Sequence, residues 1–327
     1  MAQKSLIQKA AGFPIPLLPT LVGAVTLSNV YAGNFQFTWI KHISTVASMV
    51  VWLFALIKIT VHFKVFKNEY KNTVPASLTA GFTMLMMLFG AYLLPYNAAV
   101  GKAIWFAGVG LHAIHILIFT FMNVLRGVKL DTFVPSWFVT YNGFLVSAVI
   151  GVPMKEPFIL TCIVYYGLGV YAILGISMLI RVASKPVNPP LLHTKAIFLA
   201  PAALCLVGYF NIIQEPINVT GIPIIVYILY GAVFLSFLYF LKNLPAFFAV
   251  PFAPGFAGMT FPNAIGIVAS YNMSGYLKDA GYEQLSSIVK QIAGIQLYIT
   301  TAVIALVVFN FIKMFKKSYE KKEEAAK

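Results

Sequence analysis

The chain has 327 residues, of which 60% are hydrophobic and 10% charged, with a formal net charge of +14. Soluble domains carry about 25% charged residues, so a water-soluble surface cannot be assembled from this composition and the class is membrane. The positive balance does not point to nucleic acid, because the Lys and Arg residues sit between apolar runs and at the C-terminus, where they set topology and meet anionic lipid heads.

Taken in chain order, the apolar runs cover approximately 12–31, 40–63, 74–95, 100–125, 133–152, 157–181, 191–213, 219–241, 246–273 and 290–315. Each is long enough to cross a bilayer, and helices are the spanning structure open to such runs. The expected fold is therefore an all-α membrane protein with ten transmembrane helices, forming one domain over 1–316. A short basic and acidic tail, 317–327, follows it and is expected to be disordered beyond Tyr319. Lys4 and Lys9 ahead of the first run suggest a signal peptide. Cleavage is not expected, because that run holds Pro14, Pro16 and Pro19 and matches later segments of the chain. Cys162 and Cys205 both fall in apolar runs and read as buried small hydrophobes.

With ten spans, Lys41, Lys102, Lys155, Lys278 and Lys290 lie on one side and the other Lys and Arg residues on the opposite side. The positive-inside rule then places both termini in the cytoplasm of a multi-pass plasma-membrane protein. Cysteines placed at Asn97 and Glu215 should label from outside, and one at Asn188 should not.

A repeat runs through the odd-numbered runs. Pro14, Pro75, Pro135, Pro201 and Pro262 are spaced 60 to 66 residues apart, one helical hairpin per period. Glycines follow the prolines of each odd run at Gly23, Gly81, Gly143, Gly208 and Gly266. Proline and glycine free backbone carbonyls, which must face protein or water rather than lipid. The odd helices are thus expected to be kinked at these prolines and to form an inner ring around a pore. The bulkier even helices should lie outside.

The odd runs are read as free of Asp, Glu, Lys, Arg and His, which disfavours proton- and cation-coupled carriers. No carboxylate pair or nucleophile with a base can be assembled, so no enzyme is expected. His112 and His115 share a helix face, but without a third ligand they read as neutral helix contacts, and neither a metal nor a cofactor is expected. The odd runs do supply hydroxyls and amides, and the pore-lining candidates are Thr20, Thr26, Thr83, Thr140, Asn142, Asn211, Thr260 and Asn263. Such groups can donate to an anion without holding it tightly, as conduction requires. The competing reading is helix–helix glue. If the pore reading holds, cysteines at Thr83, Asn142, Asn211 and Asn263 should meet polar thiol reagents, whereas one at Leu229 should not.

Residues 251–273, around Thr260-Phe261-Pro262, resemble the ninth span of the tellurite-resistance/dicarboxylate transporter family. That family includes plant guard-cell slow anion channels, yeast malate carriers and fungal sulfite exporters. Pro14–Asn29, Pro135-Ser136-Trp137 and Ala200-Pro201-Ala202 are similar to other spans of it, in order along nearly the whole chain. The resemblance implies five hairpins, a pore in each protomer and a homotrimer passing small anions across the lipid bilayer. It also implies that Phe261 matches the pore-plugging phenylalanine of that family. The plant channels carry long regulatory ends and this chain only a short tail, so control by phosphorylation of such ends is not expected. An anion channel or channel-like uniporter is the leading reading. A proton-linked C4-dicarboxylate carrier or a tellurite or sulfite exporter is second, and a membrane-embedded enzyme or toxin-resistance factor third.

Overall fold

A chain with so few charges satisfies its backbone within helices, and the computed structural model follows that rule. It describes residues 6–213 and 223–324, with side chains to 315, and among them there is no strand. The α-helices are α1 (Leu6–Ala10), α2 (Leu17–Phe35), α3 (Thr38–Thr60), α4 (Phe63–Tyr70), α5 (Thr73–Leu78), α6 (Ala80–Leu93) and α7 (Ala98–Thr120). They continue with α8 (Trp137–Tyr141), α9 (Val146–Val149), α10 (Pro157–Ser184), α11 (Leu199–Gly208), α12 (Ile224–Phe248), α13 (Phe261–Asp279) and α14 (Glu283–Glu324). Glu215 lies outside the described residues.

Among the described residues, seven helical segments are long and apolar enough to cross a membrane: Thr38–Thr60, Thr73–Leu93, Ala98–Leu125, Pro157–Ser184, Pro189–Ile213, Ile224–Phe248 and Glu283–Phe315. The first, fifth and ninth apolar runs fall short for different reasons. Helices α2 and α13 have 19 residues each, but carry Asn29 and Asn34, or Asn263, Asn272 and Lys278. The fifth run is a shorter apolar stretch, Trp137–Val149, broken by a 3-10 turn at Asn142–Leu145.

Burial divides the segments into two kinds. In Thr73–Leu93 and in Pro189–Ile213, 78% of the apolar window is buried, against 22–39% in the other five. The less buried set turns large side chains such as Leu117, Ile173, Leu235 and Phe309 outward, which suits lipid tails and not water. Helices α2 and α13 and the α8–α9 stretch are also mostly buried, and with Thr73–Leu93 and Pro189–Ile213 they make five that are joined side to side. Helix α2 packs on α6, α6 on the α8–α9 stretch, that stretch on α11, α11 on α13, and α13 again on α2.

The glycines of the repeat explain how these segments come so close. A Cβ on Gly81 would stand 2.8 Å from the Pro19 nitrogen, one on Gly143 3.0 Å from Met84 Sδ, and one on Gly266 2.9 Å from Leu199 Cδ2. At Gly208 the nearest neighbours are Val164 Cγ2 at 3.2 Å and Leu145 Cδ2 at 3.5 Å. At Gly23 it would stand 2.6 Å from the backbone nitrogen of Phe261. Each glycine thus abuts the preceding member of the repeat, and the first abuts the last.

The prolines act differently from expectation. Pro75, Pro201 and Pro262 occupy the first turn of α5, α11 and α13, while Pro14 and Pro135 lie just before α2 and α8. Pro75 and Pro262 thus begin helices, where a residue has no intrahelical N–H bond to lose, whereas Pro201 lies within the helical segment Pro189–Ile213, just past the junction of its 3-10 and α parts. 3-10 stretches at Pro189–Phe198 and Pro254–Met259 lead into α11 and α13. The tail also differs: α14 continues through Glu324 instead of ending near Tyr319, as the helix propensity of its Lys and Glu run permits.

At the end that carries the N-terminus, one topology lysine is a buried tie. Lys58 is 1% exposed, and its Nζ donates to both Glu69 carboxylate oxygens at 2.7 Å and to the Phe13 carbonyl at 2.6 Å. It fastens α3 to α4 and to the chain entering α2.

Candidate functional site

Phe261 opens α13, directly after the 3-10 stretch Pro254–Met259. Thr260 makes the junction, with its hydroxyl donating to the Ala257 carbonyl at 2.7 Å and lying 3.4 Å from the Pro19 carbonyl. Pro262 sets the first helical turn, and Gly23 leaves room for α2 to lie against the Phe261 backbone. The ring is 5% exposed and separates two unlike spaces. On one side is a 510 Å³ cavity reached by Thr26, Asn29, Leu88, Val146 and Ile265. On the other is a void of only 10 Å³, lined by Pro19, Leu78, Phe138, Ala200 and Ala257 among others. A void of that size holds at most one water. Its walls come from all five members of the repeat and are almost wholly apolar.

A second cavity of 660 Å³ carries Lys41, His42, Tyr92 and Asn211. It shares Asn29, Leu88, Val149 and Ile150 with the 510 Å³ cavity, so the two adjoin, as neighbouring lobes of a vestibule. Asn211 is held at its wall by donating to the Val149 carbonyl at 2.8 Å.

Of the eight hydroxyl and amide candidates, Thr26 and Asn211 border this vestibule. The other six are buried and make local or interhelical bonds. Thr20 reaches the Pro16 carbonyl at 3.4 Å, and Asn142 donates to the Gly167 carbonyl of α10 at 3.1 Å. Asn263 donates to the Met259 carbonyl at 2.7 Å, while its Oδ1 and that of Asn142 have no protein partner. Thr140 and Thr260 donate to backbone carbonyls of their own or neighbouring segments, and Thr83 Oγ1 lies 2.7 Å from His112 Nδ1. Ser and Thr in spans commonly serve as such glue, and a hydroxyl facing a path is not distinguishable by sequence from one facing a neighbour. Expected thiol reactivity changes accordingly. Thr26→Cys and Asn211→Cys should be modified by small polar reagents, and Thr83→Cys, Asn142→Cys and Asn263→Cys should be protected. Equal modification of all five, measured by mass shift, would contradict the closed arrangement.

The histidines join helices. His112 Nε2 faces the Thr140 carbonyl at 2.9 Å, so that nitrogen carries the hydrogen, and Nδ1 accepts from Thr83 Oγ1 at 2.7 Å. His115 lies 2.9 Å from the Tyr70 hydroxyl and 3.3 Å from Thr140 Oγ1. Burial raises the Tyr70 phenol above its ordinary range, which keeps it a neutral partner. All four ring nitrogens are thus engaged, and among the described residues no group of three His, Cys, Asp or Glu side chains gathers in metal-binding range.

The reading of the odd runs as free of ionisable groups requires correction, because His193 and Lys195 lie within the seventh. His193 is 2% exposed, its ring centroid 3.9 Å from that of Phe256 and its Nε2 3.0 Å from the Phe247 carbonyl. It sits in a 3-10 entry segment and ties that segment to α12. The vestibule lysines are lining groups that sequence reasoning misses. Their signal is position: Lys41, Lys278 and Lys290 stand within a few residues of hairpin tips that converge in space.

None of the curated proteins matches this chain significantly. A family model described as voltage-dependent anion channel matches residues 12–315, nearly the whole chain. That is the tellurite-resistance/dicarboxylate group noted from residues 251–273. The chain belongs to the voltage-dependent anion channel family, SLAC1.

Proposed function

We propose that this protein is an anion channel, or channel-like uniporter, whose path runs between the five buried segments and is shut at Phe261. Anion transport is the property of the family. The observation that carries the finer reading is the place of the Phe261 ring, between a 510 Å³ polar-rimmed cavity and an apolar constriction walled by every member of the repeat. An apolar constriction excludes ions by dewetting, without a fixed charge that would trap them. On this reading the chain makes ten crossings as five hairpins in one domain, with the buried segments as an inner ring. Both termini are cytoplasmic in a plasma membrane, and the assembly is the homotrimer implied by the family resemblance. No catalytic role is assigned.

The test is purified protein in liposomes with a panel of monovalent anions and malate. The proposal expects currents that reverse at the anion equilibrium potential. Flux that saturates and tracks the proton gradient would replace it with the proton-linked carrier. Topology is checked in intact cells. Asn97→Cys should label from outside and Asn188→Cys should not, and the reverse pattern would invert the orientation.

A further inference from the structure

Besides the Phe261 constriction, the vestibule carries an unusual balance of charge. Lys278 and Lys290 border the 510 Å³ lobe and Lys41 the 660 Å³ lobe, and among the described residues neither lobe is lined by an Asp or Glu. Asp279 and Glu283, close by in sequence, line neither. Among the described residues the ion pairs are Lys58–Glu69 and Lys102–Glu156. Lys102 is thus paired, whereas the three vestibule lysines have no carboxylate within ion-pair distance among the described residues. Each comes from a different helix: Lys41 from α3, Lys278 from α13 and Lys290 from α14. Amide groups accompany them. Asn272 borders the Lys278 lobe, and Asn29 stands where the two lobes meet.

We infer that this vestibule is an anion-binding site, with Lys278 and Lys290 as its main cations, which collects small hydrated anions ahead of Phe261. The inference rests on the anion-channel reading for its role in flux, but not for the binding itself. Several unpaired like charges around a concave surface raise the local concentration of the opposite ion. The lobes are wide enough for an anion to keep its water, so binding is weak and release easy, as conduction demands. Inorganic monovalent anions and small carboxylates both fit this chemistry. The two lobes are not equal. Phe261 and Ile265 border the Lys278–Lys290 lobe and not the Lys41 lobe, so neutralising the former pair should matter more.

Two readouts test this. The first is conductance in planar bilayers of Phe261→Ala, which holds the path open, with and without Lys278→Gln and Lys290→Gln. Screening lengths fall from about 30 Å at 0.01 M to about 3 Å at 1 M salt. The double lysine change should therefore lower chloride conductance several-fold at about 0.01 M, with the two proteins converging at about 1 M. Lys41→Gln should give a smaller loss, and Lys242→Gln, on the far part of α12, none. The second readout needs no conduction: excess chloride NMR linewidth of wild-type protein in neutral detergent, displaced by nitrate or by acetate. It should be lost in Lys278→Gln/Lys290→Gln and kept in Lys242→Gln. Unchanged linewidth, or a conductance loss equal at every salt concentration, would overturn the site. If Phe261→Ala passes no anion at all, the channel reading fails, and the linewidth still decides the site.

Discussion

Replacing Phe261 by alanine should raise anion flux per folded protein by about tenfold or more, the factor that roughly 1.4 kcal/mol off a barrier supplies. The ring borders both the 510 Å³ cavity and the 10 Å³ void, so truncation opens space between them. Removing a buried aromatic from a closed core costs about 3–5 kcal/mol through lost contacts and a residual cavity. At Phe261 the cost should fall below that range, since one face already meets open space. Phe256 supplies the contrast five residues earlier. It is 3% exposed, stacks within 3.9 Å of the His193 ring and packs beside Phe252 at 5.1 Å. Phe256→Ala should therefore lower thermal stability in detergent and leave flux per folded protein unchanged. The measurement is liposome flux normalised to monodisperse protein. A folded Phe261→Ala protein no more conductive than wild type would remove this residue from the barrier.

Gly23→Ala should destabilise the fold and loosen the same barrier. The added Cβ would sit 2.6 Å from the Phe261 nitrogen and 2.9 Å from the Thr260 carbonyl carbon. Both are backbone atoms at the start of a helix, so no rotamer change can relieve the contact and α2 must move away from α13. Overpacking of this kind costs about 1–3 kcal/mol. If Phe261 closes the path as proposed, the folded fraction should also leak more anion than wild type, because the obstructed atoms belong to that residue. A methyl group added at Gly110 in α7 would meet nothing within 4 Å, and Gly110→Ala should be neutral or gain about 0.5–1 kcal/mol from helix propensity. Melting temperatures in detergent and flux in liposomes decide the matter. Wild-type stability and wild-type flux for Gly23→Ala would mean that the α2–α13 approach does not hold Phe261 in place.

Several levels of this protein are legible in the chain alone. The scarcity of charge determines the membrane class, because solvation of a surface depends on composition and not on arrangement. The period of proline and glycine picks out the segments that pack together, since only residues without a Cβ allow backbones so close, and each repeat glycine does abut a neighbouring member or its partner helix. The Thr260-Phe261-Pro262 element points to the family. Other features depend on the third dimension. Helix starts and kinks read alike in sequence, because proline's missing N–H and fixed φ suit both, and only the path of the chain shows that Pro75 and Pro262 begin helices while Pro201 stands near a 3-10 to α junction within one. Hydroxyls and amides read as a pore lining, yet Thr83, Thr140, Asn142 and Asn263 point at carbonyls or histidines of adjacent segments. Rotation about a helix axis decides which partner a side chain meets, and neither composition nor spacing encodes that angle. The lysines show the same limit. Lys58, Lys102 and Lys278 all read as loop-flanking charges, but tertiary contacts make the first a buried tie, the second a surface ion pair and the third a cation on a cavity wall with no ion pair among the described residues.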